Sequence, residues 1–459
     1  MKKQKSLLIF FIIFFCGISC CFAIGEKTSP MYNFSLDEAI GIAFKNNKDI
    51  QIQEQEVTAA KAFITEARSV FLPNVSANAG YTHTGTVLTM PLAISAKKDI
   101  GIFTGYENDN KLGLQIEQNM YNGGANIANL RQSEVKLKIQ QETLRARKLD
   151  TEFEVKRLYY GLLLAYETER IAQDLYDQAK SHYEDVQKKY EQGTASRFDL
   201  LQSKVQISKI SPELIKAKNS IDLISAELKK LLGLKMRDEI HLKDSFLYDP
   251  IEIKEGEFLQ LAYLNKPEMN LRTLGVDVSK WLIAIAKSGY RPQVDANLGY
   301  NYSSNNLANM INDRHSNWYA GFSVNVPIFD GFSSKAKVDQ AKARYAQANL
   351  SKEDLVDQIA VDIRQACLDL KQAAELINSQ KDNVMEAKEA LSIVNVSYDN
   401  GKATNLDVLD TQVSLAQVEK NLSEAIYDYL IAHSSLDRTM GVSIFLPKLE
   451  KETKNESKK

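Results

Sequence analysis

Two stretches of this chain repeat each other in the same order, and that duplication restricts the fold more than any single motif. A shift of 219 residues maps Ala43-Phe44-Lys45-Asn46 onto Ala262-Tyr263-Leu264-Asn265. The same shift maps Asp49 to Glu268, Val57 to Val276, Phe71 to Tyr290, Pro73 to Pro292 and Gly80-Tyr81 to Gly299-Tyr300. Further on the shift becomes 208, pairing Gly113 with Gly321, Tyr121 with Phe329, Gly123 with Gly331, Tyr190 with Tyr398, Gly193 with Gly401, Asp199 with Asp407 and Gly233 with Gly441. The second copy therefore lacks 11 residues, all lost between Tyr81 and Gly113. The length of 459 residues would alone suggest about three domains, but one unit written twice replaces that count.

Each copy reads as a helix, two strands and two very long helices. The first opening helix is expected from about Leu36 to Phe71, with Ser35 and Glu38 spaced as a capping box. Pro73 and Pro292 follow the opening helices, which proline cannot continue. Asn122-Gly123-Gly124 and Asp330-Gly331-Phe332 mark the passage from strand to helix. From there to about Glu191 no proline intervenes, and Ile171, Leu175, Ala179, Tyr183, Val186 and Tyr190 repeat at three- and four-residue steps. A helix of about 65 residues is about 100 Å long, and its apolar stripe requires lateral partners. Gly193 and Gly401 permit the reversals into the return helices. Ser211-Pro212 predicts a kink or restart in the first return, where the second copy has Glu419-Lys420. The expected organisation is a signal peptide over 1–23, a first repeat over 24–240 (hairpin about 74–121, long helices about 122–232), a second over 241–445 (hairpin about 293–328, long helices about 331–441) and a charged, disordered tail over 446–459.

Four segments of about ten residues alternate with period two. Val75, Ala77, Ala79 and Tyr81 face one way; Leu112, Leu114 and Ile116 do the same in the second segment, Val294, Ala296, Leu298 and Tyr300 in the third, and Trp318, Ala320, Phe322, Val324 and Val326 in the fourth. Tilted transmembrane strands have this length and pattern. Phe71, Tyr121, Tyr290 and Phe329 mark the helix-side ends, and Tyr81, Tyr300, Tyr302, Trp318 and Tyr319 the loop-side ends, as two aromatic belts would. A soluble sheet with one wet face also alternates, but it needs no belts. Four strands cannot close a pore. Eight would be filled by their own side chains, so a lumen favours three chains and twelve strands.

The N-terminus reads as a secretory signal: Lys2, Lys3 and Lys5, an apolar run Leu7 to Phe15 too short to span a bilayer, and a small-residue cleavage site ending at Ala23. A lipoprotein signal is the alternative, with Cys20 or Cys21 acylated, although Gly17, three places before Cys20, is not the large aliphatic residue such signals usually carry there. Of four cysteines only Cys367 lies beyond this segment, so the mature chain has no internal disulfide. No later apolar run approaches ~20 residues, which leaves a closed β-barrel as the means of spanning a membrane. A net charge of −2 gives no footprint for nucleic acid. The sequence has no H-E-x-x-H, G-x-S-x-G, P-loop or C-x-x-C motif, and His83, His182, His241, His315 and His433 are scattered, so no catalytic residue, metal site or cofactor is expected.

On these residues, and on Ala79-Gly80-Tyr81, Pro327-Ile328-Phe329-Asp330-Gly331 and the stretch Tyr398 to Asp410, the chain resembles the TolC-like outer-membrane efflux factors over nearly its whole mature length. The resemblance implies an α+β membrane protein: a duplicated helix–β-hairpin–helical-hairpin unit, trimeric, with a shared twelve-stranded transmembrane β-barrel and a periplasmic α-helical barrel. It implies the exit duct of a tripartite efflux or type I secretion system of a Gram-negative-type cell, a homotrimer set in outer-membrane lipid and served by a periplasmic adaptor (membrane fusion protein) and an inner-membrane transporter. By the same resemblance Asp407 and Asp410 form the periplasmic selectivity ring and Tyr398 latches to Asp199. The tips Gly193, Thr194, Ala195, Gly401, Lys402 and Ala403 dock the adaptor. Ala403 stands where the family carries a gate arginine, so that latch is absent. The competing reading is a periplasmic coiled-coil scaffold or adaptor without a pore; adaptors usually carry one helical hairpin and a lipoyl-like domain instead of two equal copies.

Overall fold

The computed structural model describes residues 31–85, 89–93, 99–103, 108–306 and 316–442. The expected signal peptide, Cys20 and the charged tail lie outside them. In chain order the elements are β1 (Met31–Phe34), α1 (Leu36–Asn46), α2 (Lys48–Ser69), β2 (Asn74–His83), β3 (Thr89–Ala93), β4 (Asp99–Phe103), β5 (Asn108–Asn122), α3 (Ala125–Glu191) and α4 (Arg197–Leu231). They continue as β6 (Glu239–Leu242), α5 (Glu255–Asn265), α6 (Pro267–Ser288), β7 (Gln293–Ser304), β8 (Ser316–Asn325), α7 (Ser333–Asp399) and α8 (Asn405–Met440). Both α3 and α7 contain 67 residues, about 100 Å of helix.

The opening segment is two helices instead of one. The capping box begins α1, with Ser35 N–H donating to Glu38 Oε2 at 2.9 Å and Glu38 N–H to Ser35 Oγ at 3.4 Å. The helix then breaks at Asn47, whose backbone is extended. Asn47 Oδ1 accepts from Asp49 N–H and Ile50 N–H and so starts α2, while its Nδ2 donates to Leu231 O. The same break falls 219 residues later at Lys266, where Pro267 is the first residue of α6 and holds its predecessor extended. Each break receives a glycine from the end of a return helix. A Cβ on Gly233 would lie 2.8 Å from Asn46 Cβ, and one on Gly441 2.6 Å from Lys266 Cα. Both glycines have φ near +70° and sit just past their helices.

Two further differences concern the expected elements. α4 runs as one helix through Pro212, so the restart does not occur. β1 and β6, which period-two alternation does not reveal at four residues each, pair in parallel and bring the start of the first repeat against its end. Two apolar cores result. Phe34, Ile40, Ile50, Tyr159, Leu228 and Ile240 are buried in the first copy, and Ile359, Ile363, Leu370, Tyr429, Leu436 and Met440 in the second. The copies join where α3 packs on α6 and α8. No helix among the described residues is long and apolar enough to cross a membrane.

Candidate functional site

The four alternating strands form one antiparallel sheet in the order β2-β5-β7-β8. Register decides what their alternation means, because paired residues share a face. Ala77 pairs with Leu114, Leu114 with Tyr300, and Tyr300 with Trp318; likewise Val75, Ile116, Leu298 and Ala320 form one row. All four apolar sets therefore fall on one face. The opposite face carries Asn78, Gly113, Asn301 and Asn317 in one row, and Ser76, Gln115, Gly299 and Tyr319 in the next. The apolar face is open: Phe322 is 80% exposed and Trp318 72%.

A β-bulge between Asn119 and Tyr121 refines this face. Without it the even-numbered residues of β5 would stay on the apolar side to its end. The extra residue instead pairs Tyr121 with Val294, which sets the aromatic ring on the apolar face at its helix-side edge. Tyr319 departs from the expected belt. It pairs with Gly299 on the polar face, and its ring occupies the space a Cβ on Gly299 would need. The insertion of the first copy contains the small hairpin β3–β4. The sheet has two unpaired edges, β2 and β8, which run in opposite directions because four antiparallel strands alternate.

About 100 Å away by helix length, the two helical hairpins end in tips of the same design. After α3, Gly193 takes φ +76°, Thr194 N–H donates back to Lys189 O at 2.8 Å, and Ser196 caps α4 in a box with Asp199. After α7, Gly401 takes φ +70°, Lys402 N–H donates to Ser397 O at 2.8 Å, and Thr404 caps α8 in a box with Asp407. A Cβ at either glycine would meet nothing within 4 Å, so only the left-handed backbone calls for glycine. Thr194, Lys402 and most of both turns are exposed; Ala195 and Ala403 are half-buried.

Asp407 and Asp410 are exposed and stand three residues apart on α8, on one helical face. Asp407 Oδ2 accepts from Thr404 N–H and Thr404 Oγ, each at 2.7 Å, and these bonds hold its carboxyl below the usual range. The Asp199 carboxylate is likewise occupied by its own cap, accepting from Ser196 N–H at 3.1 Å and Ser196 Oγ at 2.6 Å. Among the described residues no hydrogen bond joins Tyr398 to Asp199. The two are neighbours all the same: burial, and next the Asp199 carboxylate, push the Tyr398 hydroxyl pKa up. The Tyr398 ring packs on His182, centroids 5.2 Å apart, and the Lys189 ammonium lies 4.1 Å from its centroid.

The structure adds His182 and Asn405 to the tip. His182 Nε2 and Asn405 Oδ1 are 2.7 Å apart in a buried setting. Neither stood among the candidates read from the chain. The available signal was a polar residue in step with the apolar stripe, since Ala179, His182 and Val186 are all buried at three- and four-residue spacing.

Comparison with known proteins agrees with this architecture. The model of the family described as outer membrane efflux protein matches residues 39–234 and 258–442, one segment per copy. Outer membrane protein TolC of Vibrio cholerae is 21% identical over 424 residues, 91% of this chain and 93% of that protein. Alkaline protease secretion protein AprF of Pseudomonas aeruginosa is 22% identical over 404 residues, 87% of this chain and 83% of that protein. Among solved structures, the Campylobacter jejuni CmeC outer membrane channel superposes with a TM-score of 0.76 at 19% identity, covering 92% of this chain and 89% of its own. A CusC structure gives 0.75 at 18%, covering 89% and 92%. With both copies matched by the family's model and the single-chain fold shared with such channels, the chain belongs to the outer membrane efflux protein family.

Proposed function

We propose that three copies of the chain join edge to edge, β8 of one to β2 of the next, into a twelve-stranded barrel in the outer membrane. Their helical hairpins stand side by side as a tunnel through the periplasm. The observation that carries this reading is the sheet itself: one apolar face, one polar face and two open edges of opposite direction. Open edges of that kind close only by meeting another copy, and an even strand count keeps every junction antiparallel. Exposed apolar side chains on the long helices support lateral packing as well, among them Leu201 and Val205 on α4 and Leu368, Met385 and Ile393 on α7.

In this reading the duct is passive and gated at the hairpin tips. Asp407 and Asp410 of three chains form a cation-attracting collar, with Tyr398 and Asp199 beside it, and the turns at Gly193–Ala195 and Gly401–Ala403 receive a periplasmic adaptor coupled to an inner-membrane transporter. Among the relatives, one is named for alkaline protease secretion and another for cation efflux. In this reading the transporter, and not the duct, selects the cargo. A pore-free scaffold would have no use for the open apolar face. The test is extraction with detergent, followed by gel electrophoresis without heating and planar-bilayer recording. Trimers with discrete conductance steps are expected. A monomer that stays in solution without detergent and passes no current would overturn the proposal.

A further inference from the structure

Ala403 provides no charged latch, and Tyr398 makes no hydrogen bond to Asp199 among the described residues, so the contact between the two hairpins rests on other groups. One buried polar junction does join them. Asn405, the first residue of α8, is 4% exposed. Its Oδ1 lies 2.7 Å from His182 Nε2 on α3 and 3.2 Å from Ser203 Oγ on α4. Its Nδ2 donates to Gln202 Oε1 at 3.0 Å and to Asp199 O at 3.4 Å, both on α4. With the amide nitrogen facing two acceptors, the oxygen faces the ring, and the neutral imidazole carries its hydrogen on Nε2. Ser203 is fully buried and His182 is 9% exposed. Tyr398 of α7 covers the ring. A single side chain of the second-copy hairpin is thus bonded to both helices of the first.

The duplication does not repeat this junction. A shift of 208 places Ala390 opposite His182 and Arg197 opposite Asn405, so the contact runs only from α8 into the first-copy hairpin. Asp407 and Asp410 follow Asn405 by two and five residues on the same helix. Whatever holds the start of α8 therefore sets where those carboxylates stand.

We propose that Asn405 and His182 form the pin that keeps the second-copy hairpin against the first in the closed duct, and that they act as positioning residues for Asp407 and Asp410. This rests on the channel reading above. The pin makes closure sensitive to acid. The groups around the ring are Asp185 and Lys189 of α3 and Tyr398 and Asp399 of α7, with Asp199 of α4 beside Tyr398, while α8 meets the ring with the neutral Asn405. Burial, opposed by the Asn405 bond and by Asp185 and Asp399 but reinforced by Lys189, holds the imidazole pKa below its usual value. Above about pH 6.5 the ring is neutral whether buried or in water. As pH falls below that value the opened state takes up the proton first, so the closed state loses stability relative to it.

The experiment records resting KCl current from detergent-purified trimers in planar bilayers at about pH 7.5 and about pH 5.5, either side of the histidine range. Asn405→Leu, close in volume, and His182→Phe are expected to raise the resting current at the higher pH by roughly tenfold, the order that follows from orphaning one partner of a buried hydrogen bond. Ser203→Ala, a milder change, raises it less. His182→Gln, whose amide N–H can donate to the same oxygen, stays near the parent at the higher pH and loses the rise that the parent shows at the lower one. Intact trimers of all variants with currents within about twofold of the parent at both pH values would reduce the pin to a packing contact and overturn the inference. Absence of current from the parent chain too is the distinct result that overturns the channel reading, and the pin with it.

Discussion

Asp407 closes the helix cap of α8 and Asp410 does not, so the two acids of the proposed collar differ in what their removal would change. Asp410→Asn is expected to weaken block by a trivalent cation by roughly tenfold, within the range over which focused charge alters local ion concentration. Asp407→Asn does the same and also loosens the first turn of α8, visible as a steeper loss of trimer on heating. Unchanged block in both variants would remove the collar. The glycines separate by surroundings rather than by dihedral. Gly401 and Gly441 share a left-handed backbone near φ +70°, but only at Gly441 would a Cβ strike the chain at Asn265 and Lys266. Gly401→Ala should cost about 1–2 kcal/mol and Gly441→Ala clearly more, measured by urea unfolding in detergent. Equal costs would show that the close approach at Gly441 relaxes freely.

Among the elements, the break between α1 and α2 hangs on one side chain. Asn47 is 5% exposed, starts α2 with two accepted bonds and ties the break to Leu231 O, the end of α4. Asn47→Ala should therefore destabilise the first copy by about 1–3 kcal/mol, lowering the urea midpoint without changing the slope. The second copy reaches the same bend by another route, since Lys266 precedes Pro267. That dipeptide was a readable stop signal in one copy, whereas Asn47 sits in an otherwise unbroken helical pattern, so the chain alone suggests one helix there. Pro212 shows the opposite case, since it does not restart α4. Proline inside a helix costs about 3 kcal/mol, and the packing of α4 along α3 outweighs it.

Across the whole molecule, the copies are tied by charges as well as by packing. Lys156 of α3 lies 3.1 Å from Glu152 and 3.3 Å from Asp437 of α8, and all three side chains are largely buried. Burial alone would lower the lysine pKa; the two carboxylates outweigh it, and the net shift is upward. A lysine raised in this way contributes stability that is present below about pH 10 and is lost as pH rises through the folded value. Lys156→Met leaves two carboxylates facing each other without their cation and should cost about 3–5 kcal/mol. Calorimetry of the variant checks this, and a loss under about 1 kcal/mol would show that water reaches the site and replaces the ammonium.

By itself the sequence determined the repeat, the order of elements within it, the alternation of four strands and the turn glycines at Gly193 and Gly401. These are local in origin, because periodicity, caps and left-handed backbone are set by residues a few positions apart. The tertiary structure decided which strand faces align, where the Tyr121 bulge resets the β5 register, and which side chains meet at the hairpin tips. His182 and Asn405 are 223 residues apart in the chain, and only the packing of α8, folded back from α7, along α3 brings them within 2.7 Å. Contacts of that kind depend on the rotation and register of long helices, which small packing differences at every turn accumulate to set and no short pattern encodes.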